Sequence, residues 1–145
     1  MNKKITMQQK FNRPIDQVFE LFAKHATYNK MFWPVQVVRV KDAADPQRPD
    51  GVGSVRKLGF GRIKPLQEQI TRLEENQSIE YKIIDNPLVK HHVGYITFKA
   101  LTENTTLVTY DIEFDAKLPF VSAIVLSQLK FAISTGMAKF AKSLK

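Results

Sequence analysis

The chain of 145 residues has no cysteine, one tryptophan and three histidines. Without cysteine there is no disulfide framework, no thiolate metal site and no cysteine nucleophile. His91 and His92 are adjacent, and neighbours on a strand point to opposite faces. With only His25 as a further histidine there is no ligand-spaced cluster, so neither a metal site nor a cofactor is expected. No apolar run reads as a membrane span of about 20 residues, which argues against integral membrane association. The opening MNKKITMQQKF carries positive charge but no apolar core of signal-peptide length. These absences lead us to expect a soluble, cytoplasmic protein, a single domain over residues 1–145.

What is abundant is positive charge, +8 net. It sits at the ends. Residues 1–15 hold Lys3, Lys4, Lys10 and Arg13 without an acid, and residues 116–145 hold Lys117, Lys130, Lys139, Lys142 and Lys145 without an acid. On a helical wheel Lys130, Lys139, Lys142 and Lys145 spread over half the circumference. A solvated helix end, with cations favoured by the helix dipole, is the simpler reading. There is no arginine-rich run or RNA-binding aromatic motif, so a nucleic-acid partner is not expected. Attachment to anionic lipid through the basic termini is a weaker reading that stays open. Oligomeric state is not legible.

The pattern of apolar residues gives the elements. KKITMQQKF (3–11) reads as a strand. Pro14 suits the first turn of a helix, and Ile15, Val18, Phe19 and Phe22 fall on one helical face. Thr27 can cap a second short helix carrying Tyr28, Met31, Phe32 and Trp33, ended by Pro34. From residue 35 the period becomes two: strands at 35–40, 79–84, 91–101 and 107–116, and a hairpin at 51–70. The last element starts at Pro119 and runs to the chain's end, with Leu126, Leu129, Ile133, Met137, Phe140 and Leu144 at three- and four-residue steps. Val125, Ala132 and Gly136 widen that stripe to about 140° of arc, the width of a helix lying on a core. Gly136, near mid-helix, either admits something very close or leaves space. One strand, two helices, six strands and one long helix describe an α+β fold: a curved antiparallel sheet with a helix on its concave face.

The hairpin GVGSVRKLGFGRIKPLQEQI raises a chemical question. With its turn near Arg62, Leu58 faces Leu66, Arg56 faces Glu68 and Ser54 faces Ile70. Alternate residues share a face, so Arg56 and Glu68 stand side by side among Leu58, Phe60, Leu66 and Ile70. Buried ion pairs often fail to recover their desolvation cost, and this one is easier to explain on a face bounding a partly wet, ligand-sized space. A rim salt bridge is the plainer alternative. Tyr81, His92 and Tyr110 share inward registers and are candidates for hydrogen bonding or proton transfer, or are core residues with satisfied polar tips.

The order of elements, with RPIDQVFELFAKHATYNKMFWP, GVGSVRKL, LQEQIT, IEYKI, HHVGYITF and GMAKFAKSL, resembles the polyketide cyclase/dehydrase-like proteins of the START and birch-pollen-allergen superfamily, SRPBCC. The resemblance implies a helix-grip fold, about seven strands around a long C-terminal helix with an apolar cavity between. By analogy with the superfamily's plant hormone receptors it places ligand contacts at Arg56, Leu58, Glu68, Tyr81, His92 and Gly94. On the helix they fall near Gln128, Ala132 and Gly136, with Gly136 leaving cavity volume. LGFGR (58–62) would match a cavity-mouth gate in which Phe60 swings; the gate and latch sequences of the hormone receptors are absent. Two functions follow. One is binding or transport of a small hydrophobic or amphipathic molecule with a polar end, Arg56 pairing an anionic or carbonyl group and Glu68 orienting it. The other is a cyclase or dehydratase acting on a polyketide-like or aromatic substrate, with Glu68 or His92 as base, Arg56 stabilising an enolate and Tyr81 supplying a proton.

Overall fold

Strand alternation is most regular on the last strand. Thr106, Val108, Tyr110, Ile112 and Phe114 are buried, and the residues between them are not. That period of two marks a sheet with one covered face. The computed structural model describes residues 3–144. In chain order it contains β1 (Lys4–Phe11), α1 (Ile15–Ala23), α2 (Thr27–Met31), β2 (Gln36–Lys41), β3 (Val55–Phe60), β4 (Ile63–Glu74), β5 (Ser78–Ile84), β6 (Val89–Thr102), β7 (Thr105–Ala116) and α3 (Val121–Ser143). The seven strands form one antiparallel sheet in the order β1-β7-β6-β5-β4-β3-β2, so every pair but β1–β7 joins sequence neighbours. This is the helix-grip arrangement implied by the resemblance.

Helix starts differ from expectation by a residue or two. Pro14 is the N-cap of α1 rather than part of its first turn. Ala26, not Thr27, precedes α2, and Thr27 is buried inside it. Helix α3 begins at Val121, after Phe120 in the left-handed region at φ 66°. Lys145 lies outside the described residues.

The buried face of α3 is Leu126, Ile133, Gly136, Met137 and Phe140, packed on β1, β7 and α2. The Phe140 ring meets Phe11 edge-on at 6.3 Å, and Phe11 meets Phe22 at 5.6 Å. By length and composition alone α3 is apolar enough to cross a bilayer, which the sequence reading did not register; here it is the core helix. The stripe is narrower than expected. Leu129, Val125 and Leu144 are half-buried, and Ala132 is exposed. The reason is position: α3 packs chiefly on β1 and β7, and the flank carrying Ala132 is turned to solvent.

Gly136 resolves its own ambiguity. A Cβ there would stand 2.5 Å from the Met31 carbonyl oxygen and 2.7 Å from Phe32 Cδ1. The glycine lets the end of α2 press on α3; it does not leave cavity volume. Gly136→Ala is expected to destabilise the protein by about 1–3 kcal/mol through overpacking, although alanine is intrinsically better in a helix by about 1 kcal/mol. Thermal unfolding checks the sign: an increased midpoint would mean that α2 yields freely.

Candidate functional site

The β3–β4 register is the expected one over its length: Arg56 pairs with Glu68 and Leu58 with Leu66, with a shift only at Phe60–Ile63. Both charged side chains point inward. Arg56 is 2% exposed. Its Nε donates to Glu68 Oε1 at 2.9 Å, and Nη2 lies 2.8 Å from the same oxygen. The guanidinium lies between two rings, 4.5 Å from the centroid of Tyr28 and 4.8 Å from that of Tyr81. Such stacking suits a weakly hydrated planar cation. Nη1 approaches His25 Nδ1 at 3.4 Å, and His25 Nε2 is 3.0 Å from Ser54 Oγ. An arginine can only donate, so Nδ1 accepts and the imidazole proton sits on Nε2, facing Ser54. The His25 backbone N–H donates to Asp50 Oδ2 at 2.9 Å, and Asp50 pairs with Arg39.

Behind this pair the Tyr81 and Tyr110 hydroxyls share a hydrogen bond, and Tyr28 donates to the Phe22 carbonyl at 2.7 Å. Burial raises both Tyr81 and Tyr110 well above the ordinary phenol range. Burial also pushes the Glu68 carboxyl up, against the opposing pull of Arg56. It works against the Arg56 charge too, but Glu68 and the three tyrosines more than offset it and hold the guanidinium above its usual value. His25 falls to about 4 through burial, then the neighbouring Arg56.

His92 stands apart. Its Nδ1 accepts the Ile83 backbone N–H at 3.0 Å, so its remaining proton is on Nε2. Burial, with His91 and Arg56, lowers it to about 4. The nitrogen lone pair a base would use is already engaged by the backbone. The geometry therefore argues against the expected role of His92 as general base. Its ring packs on Tyr81 and Phe114.

Arg56, Glu68, Tyr81 and Tyr110 thus come together as one polar cluster. Gly94 belongs to it differently from expectation: a Cβ there would run into the Tyr81 ring, so the glycine makes room for protein, not ligand. Leu58, Leu66 and Ile83 lead away from the pair toward the β3–β4 turn as half-buried apolar residues, and Phe60 at that turn is 61% exposed. Ala132 and Gly136, expected as lining, are respectively exposed and pressed against α2.

Tyr28, Tyr81 and Tyr110 pack close around the Arg56 guanidinium, where open volume was expected. Two surface depressions, of about 500 and 530 Å³, lie elsewhere: one against Arg13, Asp16, Glu20 and Leu144, the other on α3 at Ser127, Lys130 and Phe131. Among the described residues no buried polar side-chain atom lacks a partner, and no acidic or histidine group is arranged to hold a metal. Glu68 nonetheless keeps 10% of its side-chain exposure. The two Arg56 nitrogens that reach Glu68 both go to Oε1, and Oε2 takes no hydrogen bond from a described residue. His25, Tyr28, Ser54 and Asp50 complete the cluster and were not singled out from the sequence. Only the helical placement of Tyr28 hinted at one of them.

The sequence matches a family model described as polyketide cyclase / dehydrase and lipid transport over residues 2–145. No curated protein sequence matches it. Among solved structures, the Zhui aromatase/cyclase from Streptomyces sp. R1128 superposes with a TM-score of 0.74 at 16% identity, covering 96% of this chain and 93% of that one. A START superfamily protein from Mycobacterium smegmatis gives 0.73 at 10% identity, over 98% and 99%. Norcoclaurine synthase from Thalictrum flavum, in complex with dopamine and hydroxybenzaldehyde, gives 0.66 at 13% identity, over 98% and 87%. These likenesses concern the fold.

Proposed function

This chain belongs to the polyketide cyclase/dehydrase and lipid transport family, and from that premise we propose that it binds a small hydrophobic molecule with a polar end and carries it without altering it. The observation behind this reading is the state of Glu68. Its Oε1 is committed to Arg56, and Oε2 remains to accept a hydrogen bond at the inner end of the half-buried Leu58, Leu66 and Ile83 strip. Pockets of this kind are mostly apolar with a few placed polar groups. The apolar body lies along the strip and a hydroxyl or phenol donates to Glu68. This differs from the sequence-based assignment, in which Arg56 met an anionic or carbonyl group. Here the arginine donors are occupied or covered by ring faces.

Transport is favoured over cyclisation on the same grounds. Two Arg56 nitrogens already donate to Glu68 Oε1, and the His92 lone pair is held by the backbone. Small phenolic aromatics, such as those bound by norcoclaurine synthase, are a reasonable class to test. Calorimetric titration with 4-nonylphenol and nonylbenzene is the direct experiment. The phenol is expected to bind at least about tenfold tighter, the worth of one hydrogen bond to a charged group, and Ile83→Trp is expected to abolish both. Equal affinities would remove Glu68 from the site. Conversion of an enone or polyketone substrate that is lost in Glu68→Gln would replace the carrier reading with the enzymatic one.

A further inference from the structure

The two ends of the sheet differ in chemistry. Strands β3, β5 and β7 all run toward one end, which carries the β3–β4 turn, the β5–β6 connection and the β7–α3 junction, the last two joined by the Lys117 N–H donating to the Leu88 carbonyl at 3.0 Å. Residue 33 joins them, because β2 starts opposite the end of β3, with Gln36 paired to Gly59. At this end Trp33, Phe60, Ile63, Leu88, Leu118 and Phe120 are all exposed. The opposite end carries the polar turns Glu75-Asn76-Gln77 and Glu103-Asn104, and its exposed large apolar residues are the aliphatic Val40, Val52 and Leu101, with no aromatic ring among them. Scattered exposed apolar residues need no explanation, but a contiguous patch marks an interaction surface.

Phe120 adds a second, independent observation. It is 87% exposed and holds a left-handed backbone at φ 66°. That conformation costs a non-glycine residue free energy, and a ring in water gains nothing that offsets it within this chain. The patch is also interleaved with cations. Lys30, Arg62, Lys64, Lys90 and Lys117 lie at this end, against Asp85 and Asp115. Asp115 is already paired with Lys3 and Lys90. Among the described residues Lys30, Arg62 and Lys117 take part in no ion pair. Two copies meeting through this end would oppose like charges. An anionic bilayer supplies both what the rings need and what the cations need.

We infer that the turn end of the sheet docks on anionic membranes, with Trp33, Phe60 and Phe120 entering the interface and Arg62 and Lys117 meeting lipid headgroups. Of the cations in the basic termini this retains only Lys117, and it does not use the two termini as a unit. Those are divided between the ends of the molecule: Lys3 pairs with Asp115, whereas Arg13 donates to the Leu144 carbonyl beside the far end of α3.

Trp33 is the only tryptophan and is 72% exposed, so its emission reports docking without labelling. The full chain is titrated with phosphatidylcholine vesicles with and without about one-third phosphatidylglycerol, a negative surface that attracts basic residues. A blue shift of Trp33, quenched by brominated acyl chains, is expected only with the anionic vesicles. Raising salt from about 0.1 M to about 1 M shortens screening from about 10 to about 3 Å and is expected to release the protein. R62E/K117E is expected to lower partitioning at least about tenfold. Phe120→Gly is expected to weaken it similarly while leaving the thermal midpoint unchanged or higher, since glycine tolerates that backbone; a merely structural Phe120 would not separate the two readouts. No shift with anionic vesicles, equal binding to neutral ones, or loss in K139E/K142E with R62E/K117E unaffected would each overturn the inference. So would a Trp33 shift that tracks protein concentration without lipid, which would assign the end to a second copy of the chain.

Discussion

Arg56→Leu is expected to lower the free energy of unfolding by about 3–5 kcal/mol, the cost of leaving one member of a buried ion pair alone. Glu68 would retain a carboxylate with no cation, and the Tyr28 and Tyr81 faces would lose the guanidinium between them. The double variant R56L/E68L is expected to recover most of the loss, because a buried pair replaced by apolar side chains is often neutral. The loss should also depend on pH. Burial raises the Glu68 carboxyl, and removing Arg56 takes away the group opposing that rise. A carboxyl raised in the folded state penalises folding once it must ionise. The variant should therefore approach wild type below the unfolded carboxyl value and fall behind as pH rises through the raised one. Urea unfolding of both proteins across that range reads the difference, on top of a smaller histidine contribution in the variant, because Arg56 also helps to lower His25 and His92. A deficit under about 1 kcal/mol at neutral pH would mean that Glu68 reaches water and the pair sits at a rim.

Acidification should destabilise the wild type over a separate window. His25 and His92 are each lowered from 6.5 to about 4. Both are neutral in the fold, so the stabilisation is complete above the unfolded value and is lost as pH falls from 6.5 through 4. A displacement of that size corresponds to at most about 3 kcal/mol per histidine. Together they can remove much of the 5–15 kcal/mol that holds an ordinary domain. His92→Gln can still accept the Ile83 N–H through its amide only with a shifted geometry, so its neutral-pH stability should drop modestly while its acid slope flattens by about one proton. Unfolding curves at successive pH values would show this; an unchanged slope would mean that His92 takes up its proton without leaving the fold.

The Arg56–Glu68 register was legible because two constraints met: an alternating pattern on both strands and a glycine-bearing turn that fixed where they fold back. The seven strands followed from the same period. The helical stripe was legible in its centre, Leu126, Ile133, Met137 and Phe140, but its width was not. Ala132 satisfies the wheel as well as Ile133 does, and only the position of α3 over β1 and β7 exposes the one and buries the other. His25 and Tyr28 were hidden for a different reason. They reach Arg56 from the linker and helix preceding β2, and no periodicity connects residues that far apart in the chain. The close packing of the tyrosines around Arg56 was hidden as well. An inward tyrosine reads alike whether it borders a space or closes it, and the glycine beneath Tyr81 reads alike whether it makes room for a visitor or for that phenol.

That resting place of the Tyr81 ring on Gly94 sets a toll on anything travelling deeper than the Glu68 carboxylate. A guest cannot simply displace solvent there; it needs a rarer arrangement in which the phenol has swung off the glycine and broken with its Tyr110 partner. Observed affinity is then the intrinsic affinity multiplied by how often that arrangement occurs, so a vacancy present about one per cent of the time weakens binding about a hundredfold. The chain would thereby ignore molecules that merely fit its outer strip and admit those able to hold the ring open.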